Sequence, residues 1–86
     1  PNALFGLAQA AAQSQETQRA LDLYQQAAAN CGDETWIAAW SFLHRGNLYR
    51  FMDDLSSARE EWSKVLNLQG DLRGAREAAS KALGKN

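Results

Sequence analysis

The chain has 86 residues, 45% of them apolar, and a formal net charge of −1, which suits one small globular domain with a single core. That near-neutral balance gives no electrostatic basis for holding nucleic acid or an anionic membrane surface. Cys31 is the only cysteine, which excludes an intrachain disulfide and a cysteine metal cluster, and no apolar run approaches the ~20 residues of a membrane span.

Strand signals are nearly absent, since Val65 is the only valine, Ile37 the only isoleucine, and nothing alternates with period two. Strong helix formers dominate, and the single proline is terminal, so no helix is broken from within. The periodicity predicts a first helix over 2–13 with Leu4, Leu7, Ala8 and Ala11 on one face. Ser14 is the expected N-cap of a second helix over 15–30, whose apolar face is Ala20, Leu21, Tyr24, Ala27 and Ala28. Asn30, Cys31 and Gly32 stop it, Gly32 suiting a left-handed position.

Asp33 is the expected cap of a third helix that reaches Arg50 or Phe51, and Asp53 and Asp54 supply a turn and a cap for a fourth over 55–68. Its inward face is expected to be Leu55, Ala58, Trp62, Val65 and Leu66, with Glu60 and Glu61 outward and Glu60 paired with Lys64. Gly70 ends it. A fifth helix is predicted from Asp71 to Gly84, with Ala75, Ala78, Ala79, Ala82 and Leu83 as a small-residue face and Gly74 as a local cost in helix propensity. Its excess of Arg73, Arg76, Lys81 and Lys85 over Asp71 and Glu77 reads as a solvated basic face. Short connections make consecutive helices antiparallel.

One pattern occurs twice. Leu4, Leu7, Ala8 and Ala11 are followed by Ala20, Tyr24, Ala27 and Gly32; Phe42, Gly46 and Tyr49 are followed by Ala58, Trp62, Val65 and Gly70. Ala8 and Ala20 are twelve residues apart, as are Gly46 and Ala58. Small residues at fixed places let two helices approach closely while neighbouring rings fill the gap. This spacing resembles the tetratricopeptide repeat, with its aromatic-x-x-Leu-Gly-x-x-Tyr, Ala-x-x-x-Phe and closing Pro. The departures are Arg45 where the family has leucine, Ala11 where it has tyrosine, and Gly32 and Gly70 in place of the prolines. Ala20 and Ala58 are 38 residues apart, four more than the usual ~34-residue unit. The excess falls before Phe42 and predicts a third helix longer by one turn at its N-terminus.

The resemblance implies an all-α fold: a right-handed superhelical stack of antiparallel helix hairpins, about five helices forming a fragment of an α-solenoid. The whole of 1–86 is then a single domain, with repeat one over about 2–32, repeat two over about 33–70 and a capping helix over about 71–84. A terminal helix of that kind suggests the end of an array. Since the chain begins with Pro1 rather than Met, it is expected to be a piece of a longer polypeptide, with any further repeats or a catalytic domain before Pro1.

Nothing in the sequence assembles a catalytic set. His44 is the only histidine, and its neighbours one turn away, Trp40 and Leu48, cannot ligate a metal; His44 and Arg45 read as polar groups on a helix surface. Asp53 and Asp54 are adjacent and would diverge by ~100° on a helix, and no glycine-rich phosphate loop occurs. An enzyme is therefore not expected, nor any cofactor or metal. A single thiol is compatible with a reducing, cytoplasmic setting.

The resemblance instead implies a scaffold that binds a peptide or a segment of a partner protein in a concave groove lined by the first helix of each hairpin. Carried onto this chain, the groove is Phe5, Gln9 and Ala12 from the first helix with Trp40, Leu43, Asn47 and Arg50 from the third. Tyr24, Tyr49 and Trp62 are assigned to the core, and Trp36 to packing. Some family members grip a C-terminal carboxylate with groove cations; Phe5, Gln9, Gly74 and Ala78 stand at the corresponding places, so that grip is not expected and binding should depend little on salt. The alternative is a structural segment of a larger protein that orders a neighbouring domain or self-associates as a homo-oligomer.

Overall fold

The computed structural model describes residues 2–84, and of Asn2 the backbone alone. It contains five α-helices: α1 (Asn2–Gln13), α2 (Thr17–Ala29), α3 (Thr35–Phe51), α4 (Leu55–Leu66) and α5 (Ala75–Ala82), with no strand among the described residues. Each helix packs on the next; α1 also touches α3, and α3 touches α5, whereas α2 and α4 do not meet. The odd-numbered helices thus touch in sequence, α1 to α3 to α5, with α2 packed on both α1 and α3 and α4 packed on both α3 and α5. At 17 residues α3 is the longest element, with Trp36 in its first turn.

The turns inside the two hairpins are built alike. Gln15 and Asp53, 38 residues apart, both take left-handed backbone, at φ 63° and 61°. At the first, Glu16 N–H donates to Ala11 O (2.9 Å) and Gln15 N–H to Ala12 O (3.1 Å); at the second, Asp54 N–H donates to Tyr49 O (2.9 Å) and Asp53 N–H to Arg50 O (3.0 Å). This pair of bonds is the Schellman arrangement, which satisfies carbonyls left free at a helix end. It also explains why Ser14 is not an N-cap: its N–H closes the last turn of α1 by donating to Ala10 O. Glu16 precedes α2 and Glu34 precedes α3, neither making a side-chain cap bond, so Asp33 is not the cap of α3. Asp54 does cap α4, accepting from Ser57 N–H at 3.2 Å, and its hydrogen bonding with Ser57 holds the carboxyl below its ordinary range.

The close contacts between helices use the small residues of the twofold pattern. Ala8, Ala20, Ala58 and Gly46 are buried. Ala8, Ala11, Ala20 and Tyr24 form one cluster, closed by Phe5, Ala12, Leu23 and Leu48. Trp62 fills a second with Ala39, Leu43, Ala58, Val65, Leu72, Ala75 and Ala79. Tyr49 is half-buried at the edge of that second cluster.

Several side chains depart from expectation. Leu7 and Leu55 are exposed, at 51% and 44%. Glu61 is buried rather than outward: Lys64 reaches it at 2.7 Å and Arg45 at 3.6 Å, so Lys64 pairs with Glu61 and not Glu60. Arg45 is accordingly no free surface group; it also donates to Gln25 Oε1 and to the Tyr49 hydroxyl. Between α4 and α5 the backbone is irregular. Asp71 accepts from Arg73 N–H at 3.0 Å, Leu72 is buried, and Gly74, at φ 88°, precedes α5 instead of lying inside it. The propensity cost expected at Gly74 does not arise, because left-handed backbone there is what glycine accommodates best.

Candidate functional site

Two cavities open along the row of odd-numbered helices. The first, about 460 Å³, lies between α1, the start of α2 and the second half of α3, lined by Ala12, Gln15, Thr17, Tyr24, His44, Asn47, Leu48 and Phe51. The second, about 370 Å³, lies between α3 and α5, lined by Leu43, Asn47, Arg50, Ala78, Lys81 and Ala82. Asn47 lines both and forms the divide between them. The helical repeat explains the set from α3: His44, Asn47, Leu48 and Phe51 stand at i, i+3, i+4 and i+7, one face of a helix.

The first cavity backs onto an aromatic cluster. The His44 ring stacks on Tyr24, centroids 5.2 Å apart and 25° between planes, with Phe5 at 5.9 Å and Trp40 at 5.7 Å. Phe5 in turn meets Tyr24 and Trp36 edge-on, the favoured geometry for ring quadrupoles. Burial lowers the His44 pKa, so its imidazole is neutral near pH 7, and burial pushes the Tyr24 phenol up to about 12. At the mouth, Phe51 is 81% exposed.

The second cavity differs in charge. Arg50 and Lys81 line it, no acid does, and among the described residues neither cation is in an ion pair. The Arg50 guanidinium lies 5.6 Å from the centroid of the Trp62 ring.

Of the residues assigned to a groove from the sequence, Leu43, Asn47 and Arg50 come together around the second cavity, and Asn47 and Ala12 line the first. Leu43 is buried and serves as floor. Phe5 is half-buried in the aromatic cluster and Gln9 is exposed on α1; neither is among the residues lining these two cavities. Trp40 is occupied in packing, its indole N–H donating to Arg73 O at 3.1 Å. Trp36 is covered by the Arg73 guanidinium, 4.1 Å from its ring. The lining residues His44, Leu48, Phe51 and Lys81 were not assigned to the groove from the sequence. The first three share a helical face with Asn47, which is the signal that points to them; nothing local marks Lys81.

Among the described residues no group of three or more His, Cys, Asp or Glu side chains is arranged to hold a metal ion, and no helix is long and apolar enough to cross a membrane. Compared with known proteins, the chain matches no family model, no curated protein and no solved structure.

Proposed function

We propose that this chain is a protein–protein interaction module of the tetratricopeptide kind. Its two hairpins and closing helix stack in a right-handed superhelix, and the row α1–α3–α5 receives a peptide or an exposed segment of a partner. The identical turns at Gln15 and Asp53 and the notches at Ala8, Ala20, Gly46 and Ala58 support the repeat reading. The binding reading is carried by one observation: Asn47 lines both cavities, so a segment reaching from one to the other passes a side chain whose carboxamide has two donors and an acceptor for a peptide bond. Aromatic and arginine side chains flanking such a group are the residue types that dominate binding hot spots. The test is to select binders from a displayed peptide library and titrate them against the wild type, Asn47→Ala and Phe51→Ser. Both variants should weaken binding; unchanged affinity in both removes the groove from consideration.

A second reading, self-association, is favoured by Phe51, Met52 and Leu55, which stand exposed together around the α3–α4 turn at 81%, 47% and 44%. Light scattering over a range of concentrations decides it. A strict monomer overturns self-association and leaves the groove reading intact.

A further inference from the structure

We infer that the segment received by this groove is acidic. It is an extended stretch with a bulky apolar side chain for the α1–α3 cavity and, about three residues along, an aspartate or glutamate side chain held between Arg50 and Lys81 in the α3–α5 cavity. The inference rests on the interaction reading above and adds the chemistry of the ligand.

The two cavities ask for different groups. The first offers Ala12, Tyr24, Leu48 and Phe51, and its size lies within the ~300–1,000 Å³ typical of ligand pockets. The second presents two cations without an acid. Like charges sharing one concavity repel, and an incoming carboxylate relieves that repulsion while accepting charge-assisted hydrogen bonds from both. A chain chemistry with a carboxylate at this point is selected; one with a lysine there is rejected.

The spacing follows from the fold. The cavities flank α3, packed helices lie ~8–10 Å apart, and an extended chain advances ~3.3 Å per residue, so the two side chains are separated by about three residues. Asn47, on the divide, meets the backbone between them. The cations are partly solvated, so their contribution is modest and sensitive to ionic strength. On this inference the salt dependence is greater than the small one expected from the sequence.

The test uses fluorescein-labelled short peptides, acetylated and amidated so that no terminal carboxylate is present, containing Leu-Ser-Ser-Glu or Glu-Ser-Ser-Leu in a serine background. Controls carry Gln for Glu. Fluorescence anisotropy should show the Glu peptide of one order binding about three- to tenfold tighter than its Gln control in low salt, the gap closing in high salt. Arg50→Gln and Lys81→Gln should each narrow that gap, and together abolish it, by weakening the Glu peptide more than the Gln peptide. Thermal melting checks that both variants remain folded. Equal affinities for Glu and Gln peptides, or a gap that persists in the double variant, overturns the acidic assignment. In that case Asn47→Ala still weakens both peptides if the groove reading holds. Failure of every peptide to bind the wild type overturns the acidic assignment as well, and the displayed library then decides the groove reading on its own.

Discussion

The indole of Trp62 occupies the space where a side chain at residue 46 would begin. A Cβ built on Gly46 would overlap Nε1 and Cδ1 of that ring, and Trp62 itself is 1% exposed. The contact joins α3 to α4 at the point where the two backbones approach through a notch, and it makes residue 46 one of the few helical sites where glycine is required by its neighbour.

Gly46→Ala should therefore destabilise the protein. In an unconstrained helix the change gains ~1 kcal/mol of helix propensity, whereas overpacking typically costs ~1–3 kcal/mol, so the sign reports on the contact. Urea denaturation should show a net loss, and shortening the ring with Trp62→Leu should reduce the penalty of Gly46→Ala in a double-mutant cycle. Trp62→Ala alone should cost on the order of 3–5 kcal/mol. A Gly46→Ala variant more stable than the wild type would contradict this packing.

Ala20 is fully buried in the first hairpin, and Ala20→Leu should cost about 1–3 kcal/mol by the same overpacking. At the turn before it, Gln15→Gly should act in the opposite direction. Left-handed backbone disfavours residues with a Cβ by ~1–2 kcal/mol, partly offset by the greater chain entropy of glycine when unfolded. A rise in thermal midpoint is the expected result; a fall would mean that the Gln15 side chain contributes more than its backbone strain.

Glu61 and Glu60 are neighbours with unequal roles. Removing the Glu61 carboxylate takes away the acceptor of the Lys64 ammonium, at 2.7 Å, and leaves Arg45, whose side chain is 13% exposed, without its nearest carboxylate. Glu61→Ala should cost on the order of 1.5–3 kcal/mol, as for hydrogen bonds to charged groups. Glu60→Ala, on the exposed side, should stay within ~0.5 kcal/mol. Equal effects of the two substitutions, measured by chemical denaturation, would refute the assignment of Glu61 to the interior.

The aromatic cluster sets two opposite pH dependences. The folded pKa of His44 lies below its unfolded value of 6.5. As pH falls through 6.5 the unfolded chain takes up a proton that the folded one refuses, so stability declines until the folded pKa is passed. For Tyr24 the folded value is about 12 against 10.0 unfolded. As pH rises through 10 the unfolded chain releases a proton first, and stability again declines. His44→Phe should flatten the acid side of a stability profile below pH 6.5, and Tyr24→Phe the alkaline side above 10. Wild-type slopes retained in these variants would remove both residues as the cause.

Much of the helical frame was readable because helix period, notch size and glycine position are local properties. Ala20, Ala58 and Trp62 stand out by volume alone. Cap identity was less readable, since Ser14 has the right chemistry for a cap yet lies in the closing turn of α1, where backbone bonds of the Schellman kind take precedence. The segment before α5 was misread as helix because Arg73 and Gly74 adopt left-handed backbone, at φ 53° and 88°, which side-chain periodicity does not encode. The cavities were partly legible. Leu43, Asn47 and Arg50 share a face that the helix period reveals, but Lys81 joins them only through the packing of α5 on α3.

Arg73 links that last helix to α3 from both sides of its own backbone, its carbonyl bound by Trp40 and its guanidinium laid on Trp36. The two indoles consequently serve as an intrinsic optical gauge of whether the carboxy-terminal helix is seated. Detachment of α5 frees one N–H and uncovers one ring, so emission from α3 reports the opening of the second cavity's far wall without any added label.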